Sequence, residues 1–245
     1  MRIKFTLEYD GTNYHGWQFQ EGLPTIQGTV EAAMARALGG QVVSLTVAGR
    51  TDAGVHALGQ VTHGDFASHT QPWALQQATN YYLKGKNIVI LSAEEVAADF
   101  HARFSAEQKE YAYHIINRRA PLTLQASKAW HVPWPMDCTL MQEGANYLLG
   151  YHDFTSFRAS QCQAKNAMRT LDKFIIEQDG PHIACRITAK SFLHHQVRNM
   201  VGTLISVATH RRFPSAIKDI LEAKDRTKAG VTAPAHGLYL NHVLY

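Results

Sequence analysis

The sequence has 245 residues, of which 45% are hydrophobic and 18% charged, a composition typical of a globular protein with a substantial core. No stretch is apolar over the length needed to cross a bilayer, and the first residues lack the pattern of a secretory signal, so we expect a cytoplasmic protein. The three cysteines, Cys138, Cys162 and Cys185, are widely separated and do not suggest a disulfide framework or a zinc knuckle. A formal net charge of +4 permits a nucleic-acid partner but does not identify one.

The hydrophobic pattern of the first half predicts a strand, a helix, two strands, a second helix and a final strand, in that order. Thr25 is the expected N-cap of the first helix, whose apolar face would contain Ile26, Val30, Ala33, Ala37 and Leu38. Strands are predicted over 3–9, 43–47, 60–66 and 88–91, and the second helix over 73–83.

The second half repeats the same order, which is the split βαβ pattern occurring twice. Its strands are predicted over 110–116, 171–177, 182–189 and 237–245, with helices over 138–149, 194–209 and 215–222, the first of them capped by Asp137. This order predicts an α+β fold of two pseudosymmetric ferredoxin-like halves, residues 1–105 and 106–245. Helices on one side of each sheet would leave an open face of a kind that suits RNA.

Several kinds of enzyme are excluded by the spacing that their chemistry requires. The sequence has no G-x-G-x-x-G dinucleotide loop, no phosphate loop of the G-x-x-x-x-G-K-[ST] type and no G-x-S-x-G serine elbow. His194 and His195 are adjacent and lack the i, i+4 spacing of a helical zinc site, and the H-x-E with P-C-x-x-C of nucleobase deaminases is missing. We therefore expect an activity that needs neither a cofactor nor a metal ion.

The segment "AGRTDAGVHALGQV", Ala48 to Val61, places an aspartate directly after a predicted strand. On its own, Asp52 followed by Ala53 and Gly54 also fits an ordinary Asx turn. Two features favour a reactive carboxylate instead: Arg50 could keep the side chain ionised, and the repeated glycines allow a large ligand to approach the backbone closely. The residues alone leave both interpretations open.

This segment closely resembles the signature of the TruA family of tRNA pseudouridine synthases, in which the aspartate of G-R-T-D is the catalytic residue. Five further segments resemble family blocks and occur in the family order across nearly the whole chain. They are "YDGTNYHGWQ" at 9–18, "FHARFSAEQKEYAY" at 100–113, "HDFTSFR" at 152–158, "FLHHQVRNMVGTL" at 192–204 and "HGLYL" at 236–240. The resemblance implies a catalytic core of two pseudosymmetric halves around a central cleft.

The resemblance also implies a reaction and a role for each candidate residue. Asp52 would act at uridines 38, 39 and 40 in the anticodon arm of tRNA, by attacking the sugar, attacking the base or assisting elimination to a glycal. Tyr111 would lie against the target base, Arg198 would pair with the catalytic aspartate, and Arg50 would help to displace the flipped base. The family needs no cofactor or metal and works as a homodimer.

Each of these residues also has a simpler interpretation. Without the resemblance, Tyr111 would be a core aromatic of a strand, and Arg198 an ordinary polar residue on a helix whose buried stripe contains Val197 and Val201. Two other functions compete with the isomerase: a noncatalytic RNA-binding or chaperone protein, and a metal-dependent deaminase. The second competitor is disfavoured by the absent ligand spacing.

Overall fold

The computed structural model describes all residues from Met1 to Tyr245 and combines α-helices with β-sheets, which confirms the α+β class. The chain forms two compact units. The first contains Met1–Glu107 and Tyr239–Tyr245, and the second contains Gln108–Leu238. None of the helices is long and apolar enough to span a membrane.

The first unit consists of a sheet and two helices, in the order expected from the sequence. Its strands are β1 (Arg2–Tyr9), β2 (Thr46–Val47), β3 (His56–Asp65), β4 (Ile88–Val96) and β10 (Leu238–Leu244), and its helices are α1 (Ile26–Ala37) and α2 (Pro72–Tyr82). The central strand β1 pairs antiparallel with both β3 and β4. On its other side, β3 pairs with β2 at one end and with β10 at the other.

The strand predicted to close the second half therefore belongs to the first unit. Tyr239 and Leu240 of β10 pair in parallel with His56 and Ala57 of β3, so the last residues of the chain complete the sheet of the first unit. The predicted pseudosymmetry of two ferredoxin-like halves stays a prediction.

Helix α1 begins as predicted, because the Thr25 side chain accepts a hydrogen bond from the amide of Gly28. Its buried residues are Ile26, Val30, Ala33 and Met34. Leu38, predicted to lie on this face, is instead the half-exposed C-cap residue. The buried face of α1 therefore ends one turn before the predicted one, because the end of a helix lies at the margin of the core.

The strand predicted over 43–47 is reduced to Thr46 and Val47. The backbone of Leu45 is bonded to α1 rather than to a neighbouring strand: its amide donates to the Glu31 carboxylate at 2.8 Å, and its carbonyl accepts from the Gln27 side chain at 3.4 Å. A backbone amide has one hydrogen to donate, so the sheet ladder cannot extend through this residue.

The second unit has a sheet in the order β5, β9, β8, β7, with β6 alongside β5. Its strands are β5 (Gln108–Asn117), β6 (Trp130–Val132), β7 (Gly150–Asp153), β8 (Met168–Asp179) and β9 (His182–Ala189), and its helices are α3 (Cys138–Asn146), α4 (Gln196–Ala208) and α5 (Ala216–Ala223). Asp137 caps α3 as predicted and accepts the amides of Thr139 and Leu140. Helix α4 begins two residues later than predicted, because His195 has a left-handed backbone with φ of 61°.

Helix α4 is largely buried, and the segment over 230–233 crosses it closely. Gly202 lies at the crossing, where an added Cβ would overlap the carbonyl oxygen of Val231. The Ala233 amide donates to the Arg198 carbonyl at 3.1 Å, and the Gly230 amide donates to the Thr203 hydroxyl at 2.9 Å. The segment therefore fixes the first turns of α4, where Arg198 lies.

We predict that Gly202→Ala lowers the free energy of unfolding. Alanine is favoured over glycine in a helix by about 1 kcal/mol, but overpacking against a fixed backbone costs about 1–3 kcal/mol, and the carbonyl of Val231 has no flexible atom that could move away. Denaturant unfolding would measure the difference. Ser206→Ala is the matched control, since its side chain bonds only to Thr203 of the same helix. Wild-type stability of Gly202→Ala would contradict the close crossing.

Candidate active site

The Asp52 loop, residues 48–55, connects β2 to β3 in the first unit. It begins with a hydrogen bond from the Ala48 amide to the Val61 carbonyl at 2.8 Å and ends in a turn in which the Val55 amide donates to the Asp52 carbonyl at 3.1 Å. Gly54 has a positive φ of 78°, which a glycine adopts without strain. The backbone therefore turns at Asp52, and this turn leaves the role of the carboxylate open.

The side chains of the loop differ in exposure. Thr51 is buried, Asp52 is half-buried and Arg50 is exposed. A carboxylate between a buried residue and the surface is held by the fold on one side and accessible to a substrate on the other. Arg50 and Asp52 thus share one loop, as expected, and their roles stay predictions.

A second loop, residues 10–24, holds the Asp52 loop by its backbone. The amide of Trp17 donates to the Thr51 carbonyl at 3.0 Å, and the amide of Gly54 donates to the Tyr14 carbonyl at 3.2 Å. These two bonds lie on either side of Asp52. The segments "YDGTNYHGWQ" and "GRTD", which are far apart in the sequence, are therefore in direct contact.

Two glycines of the 10–24 loop allow this approach. An added Cβ at Gly11 would overlap the carbonyl oxygen of Val55. At Gly16, whose φ is 84°, an added Cβ would lie 2.6 Å from the carbonyl oxygen of Thr51. Both positions require glycine because the backbone of the Asp52 loop occupies the space of a side chain.

The 10–24 loop is itself attached to α1 and to β3. The Gly16 and Trp17 carbonyls accept the amides of Ile26 and Gln27 in the first turn of α1, at 3.1 and 2.9 Å. The Gly11 amide donates to Nδ1 of the buried His56 at 3.1 Å. The indole of Trp17 is fully buried. The sequence singled out this region only through the family resemblance of "YDGTNYHGWQ", and Trp17 within it is the one local signal that the loop is packed.

Tyr111 lies on β5 of the second unit, opposite Ile187 of β9. It is 8% exposed, and its ring makes an edge-to-face contact with Phe192 at 5.2 Å between centroids. Tyr111 is therefore an aromatic residue of the core, and a small part of its surface remains accessible. Its role toward a substrate base stays a prediction.

Arg198 lies in the first turns of α4 and is half-buried, unlike a solvated helix arginine. Its Nε donates to the Ala233 carbonyl at 2.8 Å, and this bond orients the guanidinium group. Burial lowers the pKa of nearby His236, and the charge of Arg198 acts in the same direction. The predicted pairing with an aspartate stays a prediction.

The family model described as tRNA pseudouridine synthase matches residues 6–105 and 145–245 of this chain. Arg50, Asp52 and Arg198 lie within the matched residues, and Tyr111 lies outside them. Three relatives are each named tRNA pseudouridine synthase A. That of Paramagnetospirillum magneticum is 50% identical over 244 residues, which cover 100% of this chain and 95% of the relative.

The relative from Bartonella tribocorum is 47% identical over 246 residues, covering 100% of this chain and 99% of its own length. That of Anaplasma marginale, strain St. Maries, is 47% identical over 248 residues, with 100% of both chains covered. Identity of this order over whole chains accounts for the six ordered sequence blocks. The chain therefore belongs to the tRNA pseudouridine synthase family and is an isomerase.

Proposed function

We propose that this isomerase converts uridines 38, 39 and 40 in the anticodon arm of tRNA to pseudouridine, with Asp52 as the essential carboxylate. The observation that carries the proposal is the position of Asp52: a half-buried aspartate on a loop whose backbone is hydrogen-bonded on both sides to a second loop. Rigid support of an accessible side chain is what a reacting group requires.

The reaction explains why one carboxylate can carry so much of the chemistry. The bond between ribose C1' and N1 of uracil breaks, the base turns while it is held, and C1' bonds to C5. The hydrogen on C5 leaves as a proton and N1 gains one, so oxidation state and composition are unchanged. Asp52 could attack C1', attack the base, or assist elimination to a glycal, and each route uses the same side chain.

The remaining candidate residues have roles that rest on the family resemblance. A uridine inside a stem or stacked loop must leave its stack before it reacts, and aromatic and cationic groups hold such flipped bases. Arg50 is exposed on the Asp52 loop and would replace the displaced base. Tyr111 would contact the target base, and Arg198, oriented by the Ala233 carbonyl, would bind beside the reacting carboxylate.

The proposal includes the partners and the location of the protein. The tRNA anticodon stem-loop is the substrate, and the net charge of +4 agrees with a polyanionic partner. The protein works as a homodimer in the cytoplasm, without a cofactor or metal ion. The catalytic core would consist of two ferredoxin-like halves, predicted over 1–105 and 106–245, with the last strand, β10, added to the sheet of the first.

We predict that Asp52→Asn abolishes pseudouridine formation and leaves tRNA binding nearly unchanged. The amide keeps the size of the side chain but can neither act as a nucleophile nor accept a proton, so we expect a loss of at least about a thousandfold in kcat. Tritium release from [5-³H]uridine in an anticodon stem-loop measures turnover, and filter binding measures the Kd for tRNA.

Asp65→Asn is the control for this experiment. Asp65 ends β3 in the same unit and forms an exposed ion pair with Arg2 at 2.8 Å, so its loss should leave turnover intact. Stem-loops that keep a single uridine at position 38, 39 or 40 test the substrate assignment separately. Wild-type release by Asp52→Asn would refute the role of Asp52, and release from none of these stem-loops by the wild-type protein would refute the proposed substrate.

We also predict that Gly16→Ala reduces turnover much more than Gly22→Ala. Both glycines lie in the 10–24 loop with positive φ, 84° and 76°, so alanine costs about 1 kcal/mol of backbone strain at either position. Only at Gly16 would the new Cβ meet the Asp52 loop, 2.6 Å from the Thr51 carbonyl, whereas nothing lies within 4 Å at Gly22. A displaced loop should cost about tenfold or more in kcat. Equal turnover of the two variants, measured by tritium release, would contradict this view of the loop contact.

A further inference from the structure

We propose that Tyr9 and Gln60 are positioning residues of this enzyme, which hold the Asp52 loop through a buried chain of hydrogen bonds that ends at Thr51. The inference rests on the proposed role of Asp52. The Tyr9 hydroxyl lies 2.7 Å from Thr51 Oγ1. The amide nitrogen of Gln60 lies 3.2 Å from the Tyr9 hydroxyl and 2.9 Å from the Gly49 carbonyl.

The direction of each hydrogen bond in this chain follows from its members. The Gly49 carbonyl can only accept, so the nitrogen of the Gln60 amide must face it and donate. The second hydrogen of that nitrogen is directed at the Tyr9 oxygen. The Tyr9 hydroxyl and Thr51 Oγ1 form the last contact, in which either oxygen can donate. Donation from Tyr9 to Thr51 satisfies the phenol hydrogen, because its other neighbour, the Gln60 nitrogen, is itself a donor.

The chain remains intact at any pH at which the enzyme could work. Tyr9 is only 3% exposed, and burial raises the pKa of its hydroxyl to about 12. The phenol consequently stays protonated and can donate to Thr51 throughout the neutral range. Gln60 and Thr51 do not ionise.

The arrangement costs stability, which argues that it serves more than packing. Gln60 is fully buried, and its Oε1 has no hydrogen-bond partner among the protein atoms. A buried acceptor without a partner is destabilising. Such exceptions require an explanation, and here the same side chain fixes the Gly49 carbonyl next to Arg50.

The β1 backbone is shaped to present Tyr9 to the loop. The register of β1 against β3 shifts between Leu7, which pairs with Gln60, and Tyr9, which pairs with Ala57. Irregularities of this kind re-aim a side chain and are frequent beside active sites. The Tyr9 ring also contacts Trp17, 6.2 Å away between centroids, and the amide of Trp17 holds the Thr51 carbonyl.

Thr51 is thus held twice, by its carbonyl and by its hydroxyl, and Gly49 is held by its carbonyl. Between and beside these fixed points lie Arg50 and Asp52, the residues with proposed roles in the reaction. Removing the Tyr9 hydroxyl should release the Thr51 side chain and loosen the loop, although no reacting group is itself removed. A small misplacement of a reacting group affects the rate more than it affects substrate binding.

The test is Tyr9→Phe, which keeps the buried ring and removes only the hydroxyl. We expect kcat for pseudouridine formation to fall about tenfold or more, with KM and the Kd for tRNA within about twofold of wild type. Gln60→Met keeps a similar shape but has no hydrogen-bond donor, and it should likewise lower kcat while KM and the Kd for tRNA stay near wild type. The double variant should lose less than the product of the two single losses, because both residues hold the same loop.

Tyr245→Phe is the matched control. It also removes a tyrosine hydroxyl of the first unit, one that donates to the Ala102 carbonyl at 2.7 Å away from the Asp52 loop. A merely structural role for Tyr9 would lower the thermal stability of Tyr9→Phe and leave its kcat equal to that of Tyr245→Phe. Unchanged kcat in Tyr9→Phe, or an equal loss of kcat in Tyr245→Phe, would overturn the proposal.

Hydrogen exchange separates this inference from the proposed function. The amides over 49–54 should exchange faster in Tyr9→Phe than in wild type, and not in Tyr245→Phe, without any RNA present. If wild-type protein is inactive on the anticodon stem-loops, the proposed substrate fails while faster exchange still supports the positioning chain. Unchanged exchange over 49–54 in Tyr9→Phe overturns the chain whatever the substrate is.

Discussion

The hydrogen bond from the Trp17 amide to the Thr51 carbonyl, at 3.0 Å, connects the parts of the first unit that the site depends on. The carbonyl of Trp17 in turn accepts the Gln27 amide in the first turn of α1. One residue therefore joins the start of a helix to the loop that carries Asp52. The loop has little regular structure of its own, so its conformation is determined by the packing of Trp17 and by the position of α1.

Membership of the tRNA pseudouridine synthase family decides between the functions that the sequence left open. It removes the noncatalytic RNA-binding protein and the metal-dependent deaminase, because the family consists of isomerases. The missing nucleotide and metal motifs are consistent with an isomerisation, since breaking and remaking a glycosidic bond within one substrate needs no redox partner and no transferred group. The proposed mechanism requires a well-placed carboxylate and a surface that holds RNA.

The elements that the sequence predicted well are those determined by local signals. The caps Thr25 and Asp137 and the long strands β1, β5 and β9 follow from side-chain chemistry and hydrophobic alternation within a few residues. The short strands β6 and β7, of three and four residues, were missed because so few residues carry no periodic signal. The shortened strand at 43–47 depends on Glu31, which no local pattern connects to Leu45.

In the site as well, the residues of one sequence segment could be predicted, whereas the contacts between distant segments could not. A motif was enough to single out Asp52 and Arg50, because both lie in one segment. The hydrogen bonds that hold this segment come from Tyr14 and Trp17, some 35 to 40 residues earlier by the numbering, and Gly16 leaves room for the contact. A glycine or a tryptophan in a loop can be present for many reasons, so neither residue predicts this contact. Gln60 was read only as a strand residue, since its burial without a full set of partners appears in three dimensions alone.

Rigid support of the Asp52 loop has a reason in the proposed reaction itself. The base is detached from C1', turned and attached again, so the sugar carbon takes part in two bonding events at one place. A carboxylate that moved between them would lose the intermediate or favour hydrolysis by water. Glycine loses more conformational entropy on folding than any other residue, and a partly unsatisfied buried amide and an irregular strand register also cost stability. These three features occur together around one loop, as expected for a site in which geometry is favoured over stability.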